Sequence, residues 1–246
     1  MRNEGEQRGR PGIRGLGPRL TLAGLAAWLI MIPFSVLLVV AKMPLNELDA
    51  GVAAELHAYA HANPGMTRVL IVWTDAFGPW PWRIAVVGCA LWLLRKGATR
   101  VAAWAVTTVT VGGLLGLAIK VIVDRARPVL PDPVALAPGD SFPSGHTVNA
   151  TLGAGVIVLI LLPVLPRWGR RVAWAVAAFL ALSVGYTRVA LGVHWVSDVL
   201  AGFVLGVAVI AATTAAFETW RRDQGRRPSS PVDEGVEPES VRALRE

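Results

Sequence analysis

Long apolar runs parted by short charged loops constrain this chain more than any other feature. They lie at Leu20 to Ala41, Val69 to Leu94, Val101 to Ile119, Ser144 to Leu162, Val172 to Tyr186 and Trp195 to Phe217. A bilayer core is crossed by about 20 apolar residues in helix, and a segment in lipid must satisfy its own backbone hydrogen bonds. With 54% hydrophobic and 17% charged residues, the chain reads as all-α, a polytopic bundle of six transmembrane helices.

The flanks and the less regular stretches follow from the same reasoning. Residues 1–19 hold five arginines among Gly and Pro and read as a disordered basic tail; residues 221–246 read as a disordered charged tail, leaving 20–220 as the membrane domain. The 22 residues from Leu20 to Ala41 exceed a signal-peptide core of about 7 to 15 residues, so a retained anchor helix is expected. Leu45 to Met66 reads as an amphipathic segment at the interface. Its His57 and His61 share one helix face, but only Glu55 is near as a further ligand, so they are not read as a metal site. From Val69 to Leu94 the run is broken by Asp75, Gly78-Pro79, Pro81 and Arg83. Either one kinked span or an interfacial helix followed by a short span from Trp80 fits. Gly112, Gly113 and Gly116 permit close helix approach, Cys89 reads as a packing residue, and the tryptophans near span ends, Trp80, Trp82, Trp168, Trp195 and Trp220, as interfacial belt anchors.

Charge sets the orientation. Six spans place both termini on one side, and the tails with the loops at Arg95–Arg100 and Arg167–Arg171 carry 17 of the 24 Lys and Arg residues. Those segments are therefore expected in the cytoplasm, in a cell-membrane protein. A net charge of +7 dispersed in this way is not a nucleic-acid footprint.

Four of the remaining cations fall within three clusters at span ends: Lys120, Arg125, Arg127 with Pro128; Pro143-Ser144-Gly145-His146; and Thr187-Arg188 with His194 and Asp198. The topology puts all three on the outer face, at the exits of spans three and five and the entrances of spans four and six. Lys120, Arg127 and Arg188 together suit a dianionic group, since guanidinium forks pair with phosphate oxygens. The helix start at Ser144 and Gly145 adds backbone amides and a positive dipole end. Arg125 reads as an interfacial anchor paired with Asp124. Asp198, one turn after His194, can orient one ring nitrogen and leave the other as a nucleophile, while His146 suits proton donation to a leaving oxygen. No carboxylate cluster offers itself to a metal, so neither metal nor cofactor is expected.

These three motifs resemble the signatures of the type 2 phosphatidic acid phosphatase superfamily, which also holds glucose-6-phosphatase and the vanadium haloperoxidases. The resemblance covers about 80 residues from Lys120 to Asp198, in order and at fixed internal spacing. It implies a phosphohistidine on His194, protonation of the leaving group by His146, and phosphate contacts from Lys120, Arg127, Ser144, Gly145 and Arg188. Thr187 departs from the family's usual serine but keeps a hydroxyl. The implied substrate is a lipid phosphate or diphosphate such as phosphatidic acid, phosphatidylglycerol phosphate or undecaprenyl diphosphate, its tail entering between spans. An anion transporter would instead keep charge near the bilayer midplane within related halves, and haloperoxidases are usually soluble. Neither pattern fits this chain. Nothing in the sequence bears on oligomeric state.

Overall fold

The computed structural model describes residues 46–242. The expected anchor at Leu20 to Ala41 and the basic tail before it lie outside the described residues. Nine α-helices follow within them: α1 Asn46–Ala62, α2 Pro64–Ala76, α3 Pro79–Arg95, α4 Thr99–Val123, α5 Gly145–Leu161, α6 Arg167–Ala190, α7 Val196–Asp223, α8 Pro231–Glu234 and α9 Pro238–Arg242. Among the described residues no strand occurs. Five stretches are long and apolar enough to cross a membrane: Pro64–Arg95, Thr99–Val123, Gly145–Val164, Arg167–Ala190 and Val196–Asp223.

Helix ends explain where the observed spans depart from the expected ones. Between Val69 and Leu94 the chain forms two helices interrupted at Phe77 and Gly78, each begun by a proline, Pro64 and Pro79, a residue that fits the first helical turn because its missing N–H would be unpaired there. The third expected span ends at Ile119 with Lys120 beyond it, yet α4 runs on to Val123 and stops where Asp124 turns left-handed at φ 48°. A lysine stem tolerates the helix interior well, so charge alone was a poor stop signal.

Helix α5 lies at the centre. Most of its residues from Thr147 to Ile160 are buried, whereas the surrounding helices present Val72, Ile84, Leu117, Val121, Phe179 and Val207 outward, as a lipid-facing shell does. Gly202 and Gly206 of α7 lie against Thr147 and Thr151 of α5, so close that a methyl group on Gly202 would stand 2.9 Å from Thr147 Cβ. This four-residue repeat of small side chains brings the two backbones together. Of the three glycines on α4, Gly112 meets Leu152 while Gly113 and Gly116 face open space. The sequence pattern alone does not separate packing glycines from those facing lipid. Trp82 likewise belongs to the core, not to a belt.

The stretch from residue 221, expected to be disordered, is folded as far as Arg242. Arg221 is fully buried and donates to Glu218 at 2.9 Å, to Glu239 at 3.0 Å and to the Arg227 carbonyl at 3.1 Å. The Val236 amide then donates to the Leu159 carbonyl at 3.3 Å, tying this strap across the end of α5. Paired charge, invisible to a composition argument, holds it there.

Candidate active site

Successive helices run in opposite senses, so the C-terminal ends of α4 and α6 and the N-terminal ends of α5 and α7 meet at one end of the bundle. Lys120 comes from the last turn of α4, Arg127 from the loop after it, Ser144 to His146 from the start of α5, and Arg188 from the last turn of α6. His194 sits in the turn between α6 and α7, and Asp198 in the first turn of α7. The turn is shaped by Gly192 at φ 69°, a left-handed conformation that side chains resist, and by the amides of Val193 and His194, which both donate to the Arg188 carbonyl at 3.2 Å.

His194 is almost wholly buried, with 2% of its surface exposed. Its Nδ1 faces Asp198 Oδ2 at 3.3 Å and its Nε2 faces Arg127 Nη1 at 3.2 Å. These partners assign the proton to Nδ1 and a lone pair to Nε2. Burial pushes the imidazole down to about 4, with Arg127 and Arg188 acting in the same direction and the Asp198 hydrogen bond and charge opposing them. The ring is therefore neutral at pH 7. In a histidine-labelled sample followed by NMR, the His194 ring is expected to titrate near pH 4, and lower still in Asp198→Asn, which removes the anion that raises it. Titration near 6.5 would show that burial does not control this ring.

The cations surround His194. Arg127 donates from Nε to the Gly139 carbonyl at 2.8 Å, from Nη1 to that of Val193 at 2.6 Å, and from Nη2 to those of Pro138 at 3.0 Å and Asp140 at 3.1 Å. Lys120 Nζ contacts the same Asp140 carbonyl. Arg188, 7% exposed, donates from Nη1 to Thr74 Oγ1 at 3.3 Å, and its buried Nε has no partner among the described residues. His146 lies within the electrostatic reach of Arg188, His194, Arg127 and Lys120. A methyl on Gly78 would stand 3.5 Å from its Nε2, so the break between α2 and α3 lies against this ring. The sequence-predicted site residues thus converge.

Two expectations change in detail. The Ser144 amide donates to the Asp198 carbonyl at 3.0 Å, so it is engaged inside the fold, and the amide of Gly145, first in α5, is the one left at the helix mouth. Thr187 donates back to the Val184 carbonyl at 2.6 Å, facing its own helix.

Sequence reasoning missed the next layer. Arg125 is not a lone anchor paired with Asp124: it donates to Asp198 Oδ1 and to Asp49 Oδ2, each at 2.9 Å, and to Ser197 Oγ at 2.6 Å. Asp49, in the first turn of α1, also accepts from the Ser197 amide at 3.0 Å and from its hydroxyl at 2.5 Å. The expected interfacial segment therefore packs onto the site through a buried ion pair, and nothing in the spacing of residues 76 apart signals that contact.

A Sulfolobus acidocaldarius protein named undecaprenyl-diphosphatase is 30% identical over 186 residues, which is 73% of this chain and 85% of that protein. The PAP2 superfamily model matches residues 101–222. The chain belongs to the PAP2 superfamily. It is an integral membrane enzyme of this phosphatase family. Within the PAP2 relatives, Bacillus subtilis phosphatidylglycerophosphatase B is 40% identical over 96 residues, covering 38% of this chain and 47% of that one. Rhizobium etli lipid A 1-phosphatase is 36% identical over 115 residues, 43% of this chain and 46% of that one. The fold matches a transmembrane PAP2 type phosphatidylglycerolphosphate phosphatase from Bacillus subtilis at a TM-score of 0.68 and 22% identity, over 85% of this chain and 98% of that one. The PAP2 match spans every motif from Lys120 to Asp198; Asp49 lies before it.

Proposed function

We propose that this chain hydrolyses the terminal phosphate of a membrane lipid phosphate or diphosphate through a phosphohistidine on His194, at the extracytoplasmic face. The observation that carries this reading is His194 itself, a neutral ring oriented by Asp198 at 3.3 Å with its other nitrogen 3.2 Å from a guanidinium. Lys120, Arg127 and Arg188 clamp the phosphate, with the Gly145 amide at the helix mouth. Ser144 Oγ, which accepts from Thr147 at 3.1 Å, keeps its own proton for a phosphate oxygen. His194 Nε2 attacks phosphorus, the bond to the leaving oxygen breaks, and His146 protonates that oxygen. His146 then takes a proton from water as the water attacks, the P–N bond breaks, and inorganic phosphate leaves. Lys120 and Arg127 already stand in place through loop carbonyls and Arg188 through the Thr74 hydroxyl, so little reorganisation is needed as charge develops.

The relatives named above share a phosphate on a lipid, which supports phosphatidic acid, phosphatidylglycerol phosphate and undecaprenyl diphosphate as the substrates to try. The distribution of basic residues supports six spans, cytoplasmic termini and a site on the opposite face. The test is phosphate release from such a lipid panel in EDTA, with alkaline quenching to trap the enzyme intermediate and peptide mapping of the label. Activity in EDTA with acid-labile phosphate on His194 is expected. Strict metal dependence, or label on another residue, overturns the mechanism.

A further inference from the structure

Arg83 takes no part in the reading above, yet it is a charged residue inside a span, where charge is costly and is usually kept for function. Its Nε donates to Asn149 Oδ1 at 3.1 Å, and Asn149 donates on to the Gly145 carbonyl at 2.8 Å. Asn149 is buried and its bond draws the guanidinium toward the bundle, while the Trp80 ring covers it at 5.4 Å. The two terminal amino groups of Arg83 have no partner among the described residues. Arg83 itself lines a groove of about 460 Å³ between α3 and α4, together with Val86, Val109, Gly113 and Leu117.

Position gives this groove its meaning. Helices α3 and α5 both begin at the catalytic end, and Arg83 and Asn149 each lie one turn in from those starts, about 5 Å below the phosphate clamp. The groove continues inward along α4 from Leu117 toward Val106. An apolar channel headed by a guanidinium fork, one step below a phosphate site, fits an anionic group on the lipid side of the scissile bond.

We propose that Arg83 binds the phosphate that stays on the lipid when a lipid diphosphate is cleaved, with the first part of the tail lying along the α3–α4 groove. This rests on the phosphatase reading and names its substrate class as lipid diphosphates. His194 takes the terminal phosphoryl group, the bridging P–O bond breaks, and the lipid monophosphate leaves with the proton from His146, its remaining charge facing Arg83. A monophosphate places no second anion at that depth.

The test compares an isoprenyl diphosphate and the monophosphate of the same alcohol. Arg83→Gln is expected to lower kcat/KM for the diphosphate about 10- to 100-fold, the scale of a charge-assisted hydrogen bond. The monophosphate rate and the inhibition constant of inorganic phosphate are expected within about threefold of wild type, and Arg83→Lys to recover part of the diphosphate activity. Gly113→Phe, placed where the structure leaves open space, is expected to slow a long-chain diphosphate more than a five-carbon one. An equal fall on both substrates, a shifted phosphate inhibition constant or an unchanged diphosphate rate overturns the Arg83 assignment; no chain-length effect removes the groove. Absence of phosphate release from either substrate by the wild type would instead undo the phosphatase reading.

Discussion

His194→Ala is expected to abolish turnover, by about 10⁴-fold or more on any lipid phosphate, as loss of an attacking nucleophile does. The lone pair facing Arg127 belongs to His194 Nε2, and in the proposed reaction His146, on α5, donates the proton in the same step, so neither it nor another described residue stands in for the nucleophile. The truncation leaves Arg125 on Asp198 and Arg127 on its loop carbonyls, so the clamp for phosphate persists. Inorganic phosphate should therefore still compete for the site, detectable as protection of the variant against thermal unfolding. Residual turnover within about tenfold of wild type would remove His194 from the chemistry.

Asp198→Asn is expected to lower kcat by about 10²- to 10⁴-fold, with a smaller effect on KM. Asp198 accepts from Arg125 on Oδ1, and from the Trp195 amide at 2.9 Å and the His194 ring on Oδ2. An amide has one acceptor oxygen, so either Arg125 or the Trp195 amide would face its NH2 group. The ring loses the anion that fixes its tautomer, and Arg125 keeps only Asp49 as a counter-charge. Steady-state kinetics on the purified variant decide the matter. A kcat within about threefold of wild type would show that Asp198 caps α7 without orienting the ring. Arg125 and Asp49 are positioning residues in this account, since they reach His194 only through Asp198.

What the sequence revealed and what it hid follow one physical divide. Lys120, Arg127, His146, Arg188 and His194 were legible because each stands out chemically against apolar helix; Asp198 was legible from its four-residue offset, although His194 reaches it from the turn before α7 and not from the same helix face. The five candidate spans among the described residues were legible from hydropathy alone. The pairing of Arg125 with Asp49 was not legible, because residues so far apart in the chain are neighbours only after α1 has packed against the bundle. The folded strap after Arg221 stayed hidden for a related reason. Its charges look like a solvated tail until Glu218 and Glu239 meet Arg221. Amide use at Ser144 lies beyond any motif, since a motif specifies side chains and not backbone partners.

The strap has a consequence for directionality. Helix α5 is enclosed by side chains along most of its length, and at the end remote from His194 the bend at Gly235 rests on the Leu159 carbonyl and Pro163. The strap covers that end. In the proposed reaction, orthophosphate liberated beside Lys120 and Arg127 would leave by the mouth where it was made, a one-sided drain rather than a passage through the bundle.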